Sequence, residues 1–159
     1  MPFLDLLSTE RVRTDLVAAD KTALLDILAG LLAVDADERR KISAALVGRE
    51  KLGSTGLGRG VAMPHGRIPD LDRPRAAFVR LASPLDFDSI DAQPVDLVAA
   101  LVVPTHFTDQ HLQLLAELAE IFSDNDLTQA LRRAPDSSAL LQELAEFGRN
   151  RSKGPAWTD

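Results

Sequence analysis

An α/β domain with one sheet covered by helices is the fold class that this 159-residue sequence predicts. Three observations lead to it. Leucines at 24, 28, 31 and 32 recur at helical spacing. The stretch "VDLVAALVV", Val95 to Val103, is apolar on both faces, as a central strand is. Directly after Pro104 the pattern returns to a helical period in "DQHLQLLAELAEIFSD".

Each element can be justified in chain order. Asp20 is placed to cap the first helix. Asp35 or Asp37 can cap a second helix reaching about Val47, with Ile42, Ala45 and Leu46 as its inner stripe and Gly53 as a stop. "VAMP", Val61 to Pro64, reads as a short buried strand that ends because proline offers no N–H to a ladder. "AAFVRL" is a further strand. The helix after Pro104 is expected to be capped by Asp109 and to bury Leu112, Leu115, Leu118, Ala119 and Phe122. Two shorter helices, "DNDLTQALRRAPD" and "SSALLQELAEFGRN", are separated at Pro135. The last stretch, "RNRSKGPAWTD", is polar and aperiodic, so residues 149–159 read as a flexible tail beyond a domain of residues 1–148.

Composition narrows the function classes. The net charge of −6 argues against a general nucleic-acid binder, which needs a basic face. The lack of cysteine excludes disulfides, thiolate catalysis and cysteine zinc sites. No apolar run reaches the roughly 18 residues of a membrane span, and the acids near the N-terminus are unlike a signal peptide.

The segment "GSTGLGRGVAMPHGRIPD", Gly53 to Asp70, concentrates glycines ahead of one histidine. It is not a Walker A loop, because Arg59 and Gly60 stand where that motif needs lysine and a hydroxyl residue. The loop also precedes a strand, whereas anion-binding loops of nucleotide folds open a helix. His65 stands between Pro64, which fixes the chain, and Gly66, which lets a bulky partner approach the ring. Arg67, and with it Arg59 and Arg49, can bring positive charge. A neutral imidazole is a good nucleophile, and phosphoryl transfer asks for positioning and charge stabilisation from backbone N–H groups and arginine.

His111 lies near a predicted helix N-terminus, whose positive end keeps the imidazole neutral and able to donate a hydrogen bond. His106 has only its neighbourhood in its favour. No H-E-x-x-H accompanies these histidines, and none of Ser54, Ser83 and Ser89 sits in G-x-S-x-G.

"REKLGSTGLGRGVAMPHGRI", Arg49 to Ile68, closely resembles the active-site segment of enzyme IIA of the fructose/mannitol/nitrogen group of the bacterial phosphoenolpyruvate-dependent phosphotransferase system. "QPVDLVAALVVP" and "HLQLLAELAEIFSD" resemble the second half of that domain, so the likeness runs from about Leu4 to Phe147. The resemblance implies a single mixed sheet flanked by helices, a cytoplasmic location, and no organic cofactor; a zinc site from His65, His106 and His111 is the alternative that the three histidines offer, though no metal is expected. The resemblance also implies that His65 accepts a phosphoryl group from a phosphohistidine on the small histidine-containing phosphocarrier protein. His111 matches the second active-site histidine. Arg49, Ser54, Thr55, Gly66 and Arg67 fall at site-supporting positions, and His106 matches none. "LAELAEIFSD" leans towards the nitrogen-type regulatory members, with Ala92 in place of a usual glycine. A free-standing chain also favours regulation over a fused transport component. The alternative is a sugar-transport enzyme IIA that passes phosphate to a IIB partner. Either role implies an exposed His65 ring on a shallow, apolar-rimmed surface, with His111 close enough for both rings to touch one phosphoryl group.

Overall fold

The computed structural model describes residues 3–153. The elements, in chain order, are β1 (Val12–Leu16), α1 (Lys21–Leu32), α2 (Ala36–Lys51), β2 (Gly56–Gly58), β3 (Val61–Ala62), β4 (His65–Ile68), β5 (Arg75–Leu85), β6 (Val95–Pro104), α3 (Asp109–Ile121), α4 (Asn125–Arg133) and α5 (Ser137–Lys153). Two short 3-10 turns, Phe3–Leu6 and Thr9–Arg11, precede β1. α5 continues to Lys153, past the boundary at residue 148 that the polar tail suggested; residues 154–159 lie outside the described residues.

The six strands form one mixed sheet, five of them in the order β1-β5-β6-β3-β2, with β4 also pairing with β6 off this path. β5 and β6 pair antiparallel, while β1 runs parallel to β5 and β3 parallel to β6. The expected mixed sheet flanked by helices is therefore present. β6 is central and buried on both faces. Leu97, Ala99, Leu101 and Val103 join a core with α3, α4 and α5, and Val98, Ala100 and Val102 join a second core with α1 and α2. This is the period of two that an extended chain imposes.

Asp20 caps α1 through Ala23 N, and Asp35 caps α2 through Glu38 N, both at 2.8 Å. α2 outruns its expected end at Val47 and stops at Lys51, which brings Arg49 and Glu50 to the site. Three further expectations need correction. β1 was not foreseen: the five residues "VRTDL" carry little apolar alternation, and the parallel pairing with β5 stabilises them as an edge. α3 is preceded by Thr108 as N-cap, with no side-chain capping bond, so Asp109 is its first residue rather than its cap. Its inner stripe is His111, Leu114, Leu118 and Ile121, whereas Leu112 is 63% exposed. The helix is rotated by about one residue from the expected face, and that rotation turns His111 inward.

The strand at "VAMP" is also broken differently. β3 holds only Val61 and Ala62, and pairing with β6 resumes at β4. Pro64 lacks an N–H but its carbonyl accepts from Leu101 N at 3.0 Å. The proline interrupts the ladder without ending the strand's course, so His65 opens a new strand instead of hanging beyond an old one.

Candidate active site

β4 pairs in parallel with β6 in the register His65–Leu101, Gly66–Val102, Arg67–Val103. Strand alternation then sorts its side chains. Gly66 and Ile68 face the α1/α2 core. His65 and Arg67 face the side carrying α3. A Cβ on Gly66 would lie 3.1 Å from Ala45 Cβ of α2. The glycine thus admits helix α2 against the strand, which replaces the expected role of clearing space for a partner.

On the other face α3 delivers His111 from its first turn. The rings of His65 and His111 stand 5.4 Å apart between centroids, at 73° to each other. His65 Nδ1 lies 2.9 Å from the Met63 carbonyl oxygen. A carbonyl only accepts, so Nδ1 carries the proton and the lone pair of neutral His65 is on Nε2. Arg67 Nε donates to His111 Nδ1 at 3.2 Å. Among the described residues, the buried side-chain polar atoms without a partner are Ser89 Oγ and His111 Nε2.

Both histidines are held neutral. Burial lowers the pKa of His65 below its ordinary 6.5, the Met63 hydrogen bond opposes this, and the charges of Arg49 and Glu50 act in opposite directions. Burial, followed by the charges of His65 and Arg67, takes His111 down to about 4. His65 is only 7% exposed and His111 5%. The expectation of an exposed ring on a shallow surface therefore fails. His65 is a strand residue with the His111 ring against it, not a loop residue.

The remaining expected site residues form the frame. Arg49 Nη1 donates to the Gly53 carbonyl at 2.9 Å, tying the end of α2 to the start of the glycine loop. Ser54 Oγ donates to the Phe87 carbonyl and accepts from Gly56 N. Thr55 is buried, donating from N to Glu50 Oε1 at 2.9 Å and from Oγ1 to Glu50 Oε2 at 2.6 Å. Lys21 Nζ completes this cluster 2.9 Å from Glu50 Oε1. Ser54 and Thr55 thus brace the loop. Arg59 reaches away to the Ser123 carbonyl and Asn125, and His106 packs edge-on against Phe107. Of the three histidines only two meet, and among the described residues no group of three or more His, Asp or Glu side chains is arranged to hold a metal ion.

Glu50, Lys21 and the Met63 carbonyl were missed by sequence reasoning. Glu50 had a signal: an acid in the last turn of a helix faces the negative end of the dipole, so it needs another reason to be there. Lys21 and the carbonyl had none.

Comparison with known proteins places the chain among relatives of similar sequence and fold. The chain is 39% identical over 146 residues to a nitrogen regulatory protein of Bradyrhizobium diazoefficiens, covering 91% of this chain and 95% of that one. Its fold is similar to that of the nitrogen regulatory protein IIA-Ntr from Neisseria meningitidis, with a TM-score of 0.83 and 33% identity over 89% of this chain and 97% of that one. It also shares the fold of Escherichia coli enzyme IIAMTL, solved in complex with phosphorylated enzyme IIBMTL, with a TM-score of 0.72 and 20% identity, covering 88% and 97%. The family model for the phosphoenolpyruvate-dependent sugar phosphotransferase system, EIIA 2, matches residues 5–147, and the chain belongs to that family.

Proposed function

We propose that His65 Nε2 accepts a phosphoryl group from the phosphohistidine of a small histidine-containing phosphocarrier protein, in the nitrogen-type regulatory branch of the system. The observation that carries this is the bond between His65 Nδ1 and the Met63 carbonyl, which leaves Nε2 as the nucleophilic nitrogen beside His111. In the transfer, the Nε2 lone pair forms the new N–P bond. The donor's N–P bond breaks and its electron pair returns to the donor's ring nitrogen. No proton need move on His65: the proton stays on Nδ1, which donates to the Met63 carbonyl, and that bond stabilises the positive charge the ring acquires. His111 donates to a phosphoryl oxygen. The positive charge of Arg49, which acts on His65, favours the added negative charge. The site operates in the cytoplasm, and no helix among the described residues is long and apolar enough to cross a membrane. Phosphorylation adds up to about two negative charges and alters which regulatory target the chain binds.

The test is incubation with phosphoenolpyruvate, enzyme I and the carrier protein, followed by mapping of acid-labile phosphate. The expected result is a label on His65 that His65→Ala abolishes while circular dichroism stays unchanged. Label persisting in His65→Ala refutes the assignment. A second reading, transfer onward to a IIB protein, is favoured by the mannitol-type relative solved with its phosphorylated IIB. Phosphate leaving the labelled chain for purified IIB supports it; target binding that changes with phosphorylation, without such transfer, supports regulation.

A further inference from the structure

The bond between Arg67 and His111 has a chemical direction. A guanidinium has N–H donors and no acceptor. Its Nε contact at 3.2 Å therefore requires a lone pair on His111 Nδ1. In a neutral ring the proton then resides on Nε2, the atom that is buried without a partner beside His65. A protonated His111 would point an N–H at the Arg67 N–H, so the contact also disfavours imidazolium. The arrangement follows from the backbone. Arg67 is two residues from His65 on the same side of β4, and α3 places residue 111 above both.

We infer that Arg67 is a positioning residue: it holds His111 in the tautomer whose Nε2–H donates to the phosphoryl group carried by His65. This rests on the reading of His65 as the phosphoryl acceptor. Without Arg67, His111 can place its proton on Nδ1 and turn a lone pair towards the phosphoryl oxygens, which repel it. An unpartnered buried donor is costly, and a phosphoryl oxygen relieves that cost at the moment of transfer. Arg67 is itself exposed, so its replacement leaves the core intact. A rival role is direct: the guanidinium swings onto the phosphoryl group and neutralises it.

The two roles separate in the unphosphorylated chain. Long-range proton–nitrogen NMR correlations at neutral pH report the tautomer of each histidine without any phosphoryl donor. In wild type, His111 is expected to read as protonated on Nε2 and His65 on Nδ1. Arg67→Met should move His111 towards the Nδ1-protonated form, leave His65 unchanged, and slow labelling by about ten-fold. Arg67→Lys, which keeps a donor, should restore part of both. If Arg67→Met slows labelling while the His111 tautomer stays as in wild type, Arg67 acts on the phosphoryl group directly and the inference is overturned. Normal labelling and an unchanged tautomer overturn it as well. Wild-type protein that never labels on His65 defeats the phosphotransfer reading and any role of Arg67 in it, whereas a labelled wild type with an Arg67-independent tautomer defeats the positioning role alone.

Discussion

In the glycine loop, Ser54 Oγ makes two hydrogen bonds, Thr55 gives two to Glu50 and accepts one from Met63 N, and Glu50 uses both oxygens on Thr55 with Lys21 beside it. In the neighbouring histidine pair, each ring has one nitrogen fixed by the protein, and Nε2 of His111 is buried without a partner. The loop uses buried polar groups to hold a shape. The pair leaves polar capacity open for something that arrives. A residue list drawn from the family motif merges these two regions, yet their hydrogen bonding assigns them different work.

The comparison breaks most visibly at Glu50. Glu50→Ala strips Thr55 of two acceptors and leaves Lys21 without its closest carboxylate. We expect a loss of about 3 kcal/mol of stability, measured as a shift in the urea midpoint. A midpoint within experimental error of wild type would show that the loop does not depend on this cluster.

A smaller effect separates the pair from the loop by pH. His111 has a pKa of about 4 when folded against 6.5 ordinarily, and His65 is shifted in the same direction. The unfolded chain therefore takes up protons first as pH falls. Stability is full above about pH 6.5 and declines as pH drops through the window towards 4. The groups acting on His111 are His65 and Arg67. His111→Gln should flatten part of the acid slope between about pH 7 and pH 5, read from urea midpoints; an unchanged slope would place the proton uptake elsewhere.

The smallest effect tests the segment packed on the loop. Ala92 adopts φ 60°, in the left-handed region that costs a side chain energy. Ala92→Gly should gain at most about 1 kcal/mol, since the added freedom of the unfolded chain offsets part of the relief. Calorimetry showing a loss instead would mean that the methyl group packs productively.

Much of this was legible in the sequence because it depends on local pattern. The Asp20 and Asp35 caps, the β6 run apolar on both faces, and the break at Pro135 follow from side-chain chemistry within a few residues. The His65 segment was legible through its motif. What could not be read depends on how elements stack. The meeting of His65 with the His111 ring comes from the placement of α3, and the role of Gly66 comes from Ala45 on another element. The face of α3 was misjudged because His111 occupies a core position at which an apolar residue was assumed. The tautomers of both rings depend on a carbonyl and an arginine placed by the ladder on β6.

That ladder has a consequence for how transfer is timed. His65 belongs to a strand hydrogen-bonded to the central strand, with its ring tied to the backbone two residues back. The entropy of immobilising the proposed nucleophile is lost when the chain folds, not when a partner arrives. What remains at encounter is the rigid-body freedom of two proteins and the ordering of side chains at their rims. The amides of β4 should then exchange with solvent deuterium only through rare, large openings. In the proposed transfer, the reaction coordinate runs along the approach and orientation of the donor, and this chain contributes to it as a fixed target.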